Sequence, residues 1–276
     1  MAAQTKKKKS VLLNIILFIS IAVFLVSAGI LAWRFISDYQ EDQHNTQVEG
    51  ASAVGFLQEG YQRGFDLSDG AYEFSPEISP VWPERQDIGH LQERYANLNG
   101  WIMIPGTKIN YPVMMSDNEY YLTHAYDGSA LRAGSIFIFD HTPLEPVSRN
   151  VVIYGHNMKN GSMFGGLKAY YLNDSFYDQA RYIYIDTKST RLKYEVFSVF
   201  IAQENEEYHK TAFASDEEYV AFLQRMAKRN IRGDMQQTFT ADDSIITLVT
   251  CTSLGGAGED DRLIVQARLV EQQEVQ

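Results

Sequence analysis

The first strong pattern along the chain is an apolar run. From Val11 to Trp33 there is no charge, and only Asn14, Ser20, Ser27 and Gly29 interrupt it. As a helix rising ~1.5 Å per residue it reaches ~34 Å, enough to cross a hydrocarbon core of ~30 Å with some tilt. From Ser37 to about Arg85 polar and apolar residues mix with no sustained period, which reads as a stalk with short helical pieces. Ile88, Leu91 and Tyr95 then fall at i, i+3 and i+7, predicting a short amphipathic helix between Gln86 and Asn97 that Asn99-Gly100 ends.

After Gly100 the texture changes to short apolar runs separated by turn residues. Trp101–Ile104 reads as a strand, Pro105-Gly106-Thr107 as a turn and Ile109–Met115 as the returning strand, with Pro112 marking an edge or bulge. Further strands are expected at Ser135–Phe139, Asn150–Tyr154, Tyr182–Asp186, Arg191–Ile201, Ser244–Cys251 and Arg262–Val270. Between the last two pairs, Ser215 stands three residues before Glu218 in a capping-box pattern. Tyr219, Phe222, Leu223 and Met226 follow at helical spacing, predicting a helix to about Asn230. It is either a wall beside a groove or a lid on the sheet. With no β-α-β alternation, the fold class is mainly β, an eight-stranded barrel or sandwich with one helix inserted between late strands.

Charge gives this organisation a direction. Lys6, Lys7, Lys8 and Lys9 precede the apolar run and only Arg34 follows it closely, so the positive-inside bias keeps the N-terminus cytoplasmic and sends the body outward. Val26-Ser27-Ala28 resembles a signal-peptide cleavage site. However, the run continues through Ile30, Leu31, Ala32 and Trp33, past the ~7–15 residues of a cleavable core, which favours an uncleaved anchor. The expected organisation is a basic tail at 1–10, a transmembrane anchor at 11–33, a stalk at 34–85 and an extracellular body at 86–276. The formal charge is −11, and the basic residues of the first 34 make the body more acidic still. Such a body is not a nucleic-acid binder, which would need clustered Lys and Arg.

The chain holds a single cysteine, which rules out an internal disulfide framework and any multi-cysteine metal site. Cys251 is therefore either a buried filler or a working thiol. It shares one strand face with Ile245, Thr247 and Val249 and is the last residue before a loop bearing Gly255, Gly256 and Gly258; the next strand opens with Arg262. That hairpin-like arrangement turns thiol and cation toward one cleft. A cysteine nucleophile works as its thiolate, which a neighbouring imidazolium or guanidinium favours, and a histidine can protonate a leaving amine. Of six histidines, His156 is best placed, in the Gly155-His156-Asn157 turn that leaves the apolar strand Val151–Tyr154. His124, His141 and His209 read as surface or packing residues. No His-Glu-x-x-His helix or other ligand spacing calls for a metal, and nothing calls for another cofactor.

Thr247-Leu248-Val249-Thr250-Cys251 resembles the T-L-x-T-C motif of sortases, with Arg262 a loop later where that family keeps its arginine. Tyr154-Gly155-His156-Asn157-Met158 with Gly161-Ser162-Met163-Phe164 is similar to the histidine segment of class B sortases. Trp101-Ile102, Ile104-Pro105-Gly106-Thr107, Tyr111-Pro112-Val113 and Tyr120-Tyr121-Leu122 are similar to the opening strands of that class. The resemblance covers about Gln86 to Val270. It implies a sortase-type eight-stranded β-barrel with N-terminal helices and a helix inserted between the sixth and seventh strands. It also implies a cysteine transpeptidase of the Gram-positive cell envelope. Cys251 would attack the threonine carbonyl of a C-terminal sorting signal on an exported protein, His156 would move the protons, and Arg262 would hold the carbonyl or oxyanion. Thr250, Tyr154 and Asn157 are candidates to line the substrate groove. The acceptor is an amine, of a peptidoglycan precursor or of a pilin lysine; a purely hydrolytic cysteine peptidase and a non-catalytic envelope scaffold are the competing readings.

Overall fold

The computed structural model describes residues 17–37, 39–40, 82–117, 119–139, 142–233, 237–254, 258 and 260–275. The basic tail at 1–10, the first residues of the apolar run, residues 38 and 41–81 of the 34–85 stalk, His141, Gly255 and Gly256 lie outside the described residues. The chain divides into two units. In the first, helix α1 (Leu17–Ser37) is long and apolar enough to cross a membrane, and large side chains such as Phe18, Phe24 and Leu31 are exposed along it. It continues past Trp33 through Arg34, because one arginine interrupts the apolarity of a helix without breaking its hydrogen bonds.

In the second unit α2 (Ile88–Arg94) leads into a closed eight-stranded barrel. In chain order its strands are β1 (Leu98–Met103), β2 (Asn110–Met115), β3 (Ile136–Ile138), β4 (Asn150–Tyr154), β5 (Tyr182–Asp186), β6 (Thr190–Gln203), β7 (Ile245–Cys251) and β8 (Asp261–Glu274). Two short helices, α3 (Lys168–Leu172) and α4 (Asp174–Gln179), lie between β4 and β5, and α5 (Asp216–Lys228) lies between β6 and β7. The order around the barrel is β1-β2-β3-β4-β7-β8-β6-β5, closed by β5 on β1. The β2–β3 and β4–β7 pairs are parallel and the rest antiparallel.

Alternation along each strand divides the apolar side chains between two layers. Ile102, Val113, Ile136, Val151, Ile153, Ile185, Leu192, Ile246, Leu248, Leu263 and Val265 fill the interior. Val152, Phe200, Ile245, Val249 and Ile264 face outward, where Tyr219, Phe222, Leu223 and Met226 of α5 cover them. The inserted helix is therefore a cover on the barrel wall. Ser215 caps it, its hydroxyl accepting from Glu218 N at 3.2 Å, while the Glu218 carboxylate reaches Ala214 N at 2.6 Å rather than the cap residue itself.

Two local expectations change. The N-terminal helix ends at Arg94, and Asn99-Gly100 lies inside β1 beside a bulge. Gly100 is needed there for close approach, since a Cβ would sit 2.7 Å from Leu144 Cδ1 and 2.9 Å from Asp186 O. Pro112 is inside β2 opposite Trp101, but pairing with β3 begins only at Val113, so on that side the missing N–H forfeits no ladder bond.

A buried polar ladder crosses the outer face beneath α5. Gln266 Nε2 donates to Thr247 Oγ1 at 3.0 Å, Thr247 Oγ1 to Asn150 Oδ1 at 2.8 Å, and Asn150 Nδ2 to the carbonyls of Tyr208 and Lys210 at 3.2 and 2.9 Å. It ties β8, β7 and β4 to the 3₁₀ turn Glu207–His209. Asn150→Ala strands two carbonyls and a hydroxyl in a dry layer. We expect it to lower unfolding stability by about 3 kcal/mol in a denaturant titration; a loss under about 1 kcal/mol would mean water replaces the amide.

Candidate active site

β7 and β8 are antiparallel neighbours, and their last register pair is Cys251 with Arg262. Directly opposed residues in such a ladder project on the same face with Cβ atoms roughly 5 Å apart. That face is the outer one, shared with Ile245, Thr247 and Val249, because the intervening Ile246 and Leu248 fill the barrel. The Cys251 thiol is exposed, so it does not act as a packing residue.

His156 arrives from the other side of β7. Tyr154 of β4 pairs in parallel with Val249, and Gly155 N donates to Val249 O at 3.2 Å. Two residues beyond that pair lie His156, in the turn that leaves β4, and Cys251, the last residue of β7. The residues just before them are bonded directly, Thr250 Oγ1 donating to Gly155 O at 2.8 Å. Gly155 lets Ile136 and Phe164 pack against this turn, since a Cβ there would meet Ile136 Cδ1 at 2.5 Å and the Phe164 ring at 2.9 Å. His156 Nε2 lies 2.8 Å from Leu122 O, at the end of the 3₁₀ turn Glu119–Leu122. A carbonyl only accepts, so Nε2 carries the proton and Nδ1 is the nitrogen left with a lone pair in the neutral ring. The His156 carbonyl in turn accepts from Phe164 N at 2.9 Å, fixing the turn from behind.

Arg262 Nη2 donates to Glu204 Oε2 at 2.7 Å and Nη1 to Asp261 O at 3.2 Å. Tyr208 lies buried nearby. Burial pushes its hydroxyl up to about 12; the Arg262 charge opposes this, while Glu204, Glu206 and Cys251 add to it. It is therefore a neutral donor at ordinary pH, and its hydroxyl donates to Glu204 O at 3.3 Å.

The other sequence candidates separate. Thr250 is buried, paired with the interior residue Leu263 and turned away from the Cys251 face. Tyr154 is half-buried on the outer face, its ring stacked on Phe137 at 5.8 Å. Asn157 forms an isolated bridge with Met163. His124 stacks on Tyr120 at 3.9 Å and His209 packs edge-on against Tyr208. Among the described residues no cluster of three His, Cys, Asp or Glu is arranged to hold a metal ion. Sequence reasoning gave no role to Leu122, Asn150, Glu204 or Tyr208. Asn150, a polar residue opening an apolar strand, carried a faint signal, and the pair Glu204 and Tyr208 in an acidic connection carried none.

Residues 102–270 match the family model described as Sortase domain. The chain is 30% identical over 266 residues to sortase B of Listeria monocytogenes, covering 96% of this chain and 99% of that one. Sortase B of Bacillus anthracis, solved in complex with AAEK1, superposes with a TM-score of 0.60 at 37% identity, over 70% of this chain and 90% of that one. A sortase B–substrate complex of Staphylococcus aureus gives a TM-score of 0.67 at 25% identity, over 86% of this chain and 99% of that one.

Proposed function

The chain belongs to the sortase family, in class B, and is a cysteine transpeptidase; we propose that Cys251 is its nucleophile, His156 its proton carrier and Arg262 its oxyanion partner. The observation that supports this most is the terminal Cys251–Arg262 ladder pair, with Thr250 and Gly155 bonded beside it on the His156 side.

In this reading the Cys251 thiolate attacks the threonine carbonyl of a C-terminal sorting signal, and the developing oxyanion lies against the Arg262 guanidinium. The tetrahedral adduct collapses as protonated His156 delivers a proton from Nδ1 to the leaving amine, giving a thioester and a free C-terminal peptide. An acceptor amine then attacks the thioester, neutral His156 takes its proton, and an amide forms as the thiolate leaves. The acceptor we favour is a peptidoglycan precursor. Thr250 would act by holding the Cys251 and His156 backbones together, and Tyr154 and Asn157 would border the groove.

The test is cleavage of a sorting-signal peptide with and without an added amine. We expect an amide product that grows with amine concentration at the expense of the hydrolysed peptide. Hydrolysis unaffected by amines would make the protein a peptidase in practice, and a preference for a lysine-bearing pilin peptide over a peptidoglycan-stem amine would move the acceptor to pilins.

The same reading has residues 1–10 as a cytoplasmic tail, 11–33 as an uncleaved anchor, 34–85 as a stalk and 86–276 as the extracellular catalytic domain. A membrane-impermeant thiol reagent added to intact spheroplasts should label Cys251. Labelling only after lysis would reverse the topology.

A further inference from the structure

Arg262 is the second residue of β8, between Cys251 on β7 and Ala202 on β6. At a strand end, an arginine on four rotatable bonds has many poses, and only a narrow set faces a carbonyl held on the neighbouring sulfur. The guanidinium here is fixed on two edges, by the Glu204 carboxylate and by the Asp261 carbonyl. Glu204 lies two residues beyond Ala202, and its own backbone is tied to the chain leading into Arg262, Glu204 N donating to Asp260 O at 3.0 Å. The segment after it is held through Tyr208, whose hydroxyl bonds Glu204 O and whose carbonyl is held by buried Asn150. A rigid chain of contacts thus runs from the polar ladder under α5 to the guanidinium.

The side-chain exposures are 17% for Arg262 and 65% for Glu204, so water screens the pair from the carboxylate side. Such a pair adds little to global stability, which leaves orientation as its main effect. We propose that Glu204 is a positioning residue for the sortase reaction: its carboxylate holds the Arg262 guanidinium plane in the pose that meets the acyl oxygen on Cys251. This rests on the reading of Arg262 as the oxyanion partner. The opposite sign is physically available, because a carboxylate also drains positive charge from the guanidinium, and a brake of that kind would quicken the enzyme when removed.

The experiment compares Glu204→Ala, Glu204→Gln, Arg262→Ala and the Arg262→Ala/Glu204→Ala double variant on one sorting-signal peptide, with thermal melts alongside. Glu204→Ala should lower kcat about 10-fold, the scale of a modest misplacement of a reacting group, with KM within about twofold and an unchanged melt. Glu204→Gln should recover most of the rate, because its amide oxygen still accepts from Nη2. In the Arg262→Ala background, adding Glu204→Ala should change nothing beyond about twofold, since the residue it positions is gone. Wild-type or faster turnover by Glu204→Ala overturns the proposal, as does a glutamine variant as slow as alanine or an equal loss in the Arg262→Ala background. Full activity of Arg262→Ala alone would instead remove the role of Arg262 itself, and the positioning role with it.

Discussion

Cys251→Ala should fold like the parent and be inert. The side chain is exposed at the last position of β7, so losing its sulfur opens no cavity in the barrel, and a melt should match wild type to within about 0.5 kcal/mol. Turnover of a sorting-signal peptide should fall by on the order of 10⁴-fold or more if the acyl intermediate forms on this sulfur. The chain has one cysteine, so a thiol-directed reagent should add a single mass to the wild-type protein, none to the variant, and abolish activity in step with labelling. Substantial turnover by the alanine variant, or full activity after complete labelling, would remove the nucleophile from position 251.

Much of this barrel is written in period-two patterning, because each strand has one face in the interior and one under a second layer. The run Ile245–Cys251 shows why the Cys251–Arg262 ladder pair is legible: one face is fixed by Ile245 and Val249, so Cys251 must share it, and an antiparallel return at Arg262 follows from the short loop. Helix α5 is legible for a similar reason, with a cap residue and a helical stripe long enough to register. α3 and α4 are not, since elements of five and six residues span less than two turns and their buried side chains, Tyr170, Phe176 and Tyr177, join the barrel interior with no period of their own.

The motif threonines show another limit of sequence. Thr247 and Thr250 stand in a pattern associated with catalysis, yet one hydroxyl completes the Asn150–Gln266 ladder and the other bonds Gly155 on the His156 side. Glu204 reaches Arg262 across 58 residues. A contact of that kind depends on which strands close the barrel side by side, and β6 becomes the neighbour of β8 only through the order of the closed sheet.

That arrangement predicts different failures at His156 and Arg262. An imidazole exchanges protons near neutral pH, while a guanidinium stays charged throughout the working range. With His156 as acid and base, the wild-type rate should be bell-shaped in pH, its limbs belonging to the thiol–imidazole pair jointly. His156→Ala should lose both the rate and that shape. Leu122 O, left without its Nε2 donor, adds a small stability cost that a melt would separate from the catalytic loss. Arg262→Lys should keep the bell and lose height. Its ammonium can pair with Glu204 or point toward the oxyanion, but as a point charge it cannot hold the planar contact that the guanidinium makes with Glu204 and Asp261 while donating to a third acceptor. The loss expected is ~2.7–4 kcal/mol in barrier stabilisation, the scale for one oxyanion donor, or about 10²–10³ in kcat. The measurement is a pH–rate profile of each variant against wild type on one peptide. A lysine variant with full activity would reduce Arg262 to diffuse charge, and a His156→Ala profile that keeps the wild-type shape would move proton transfer to another group.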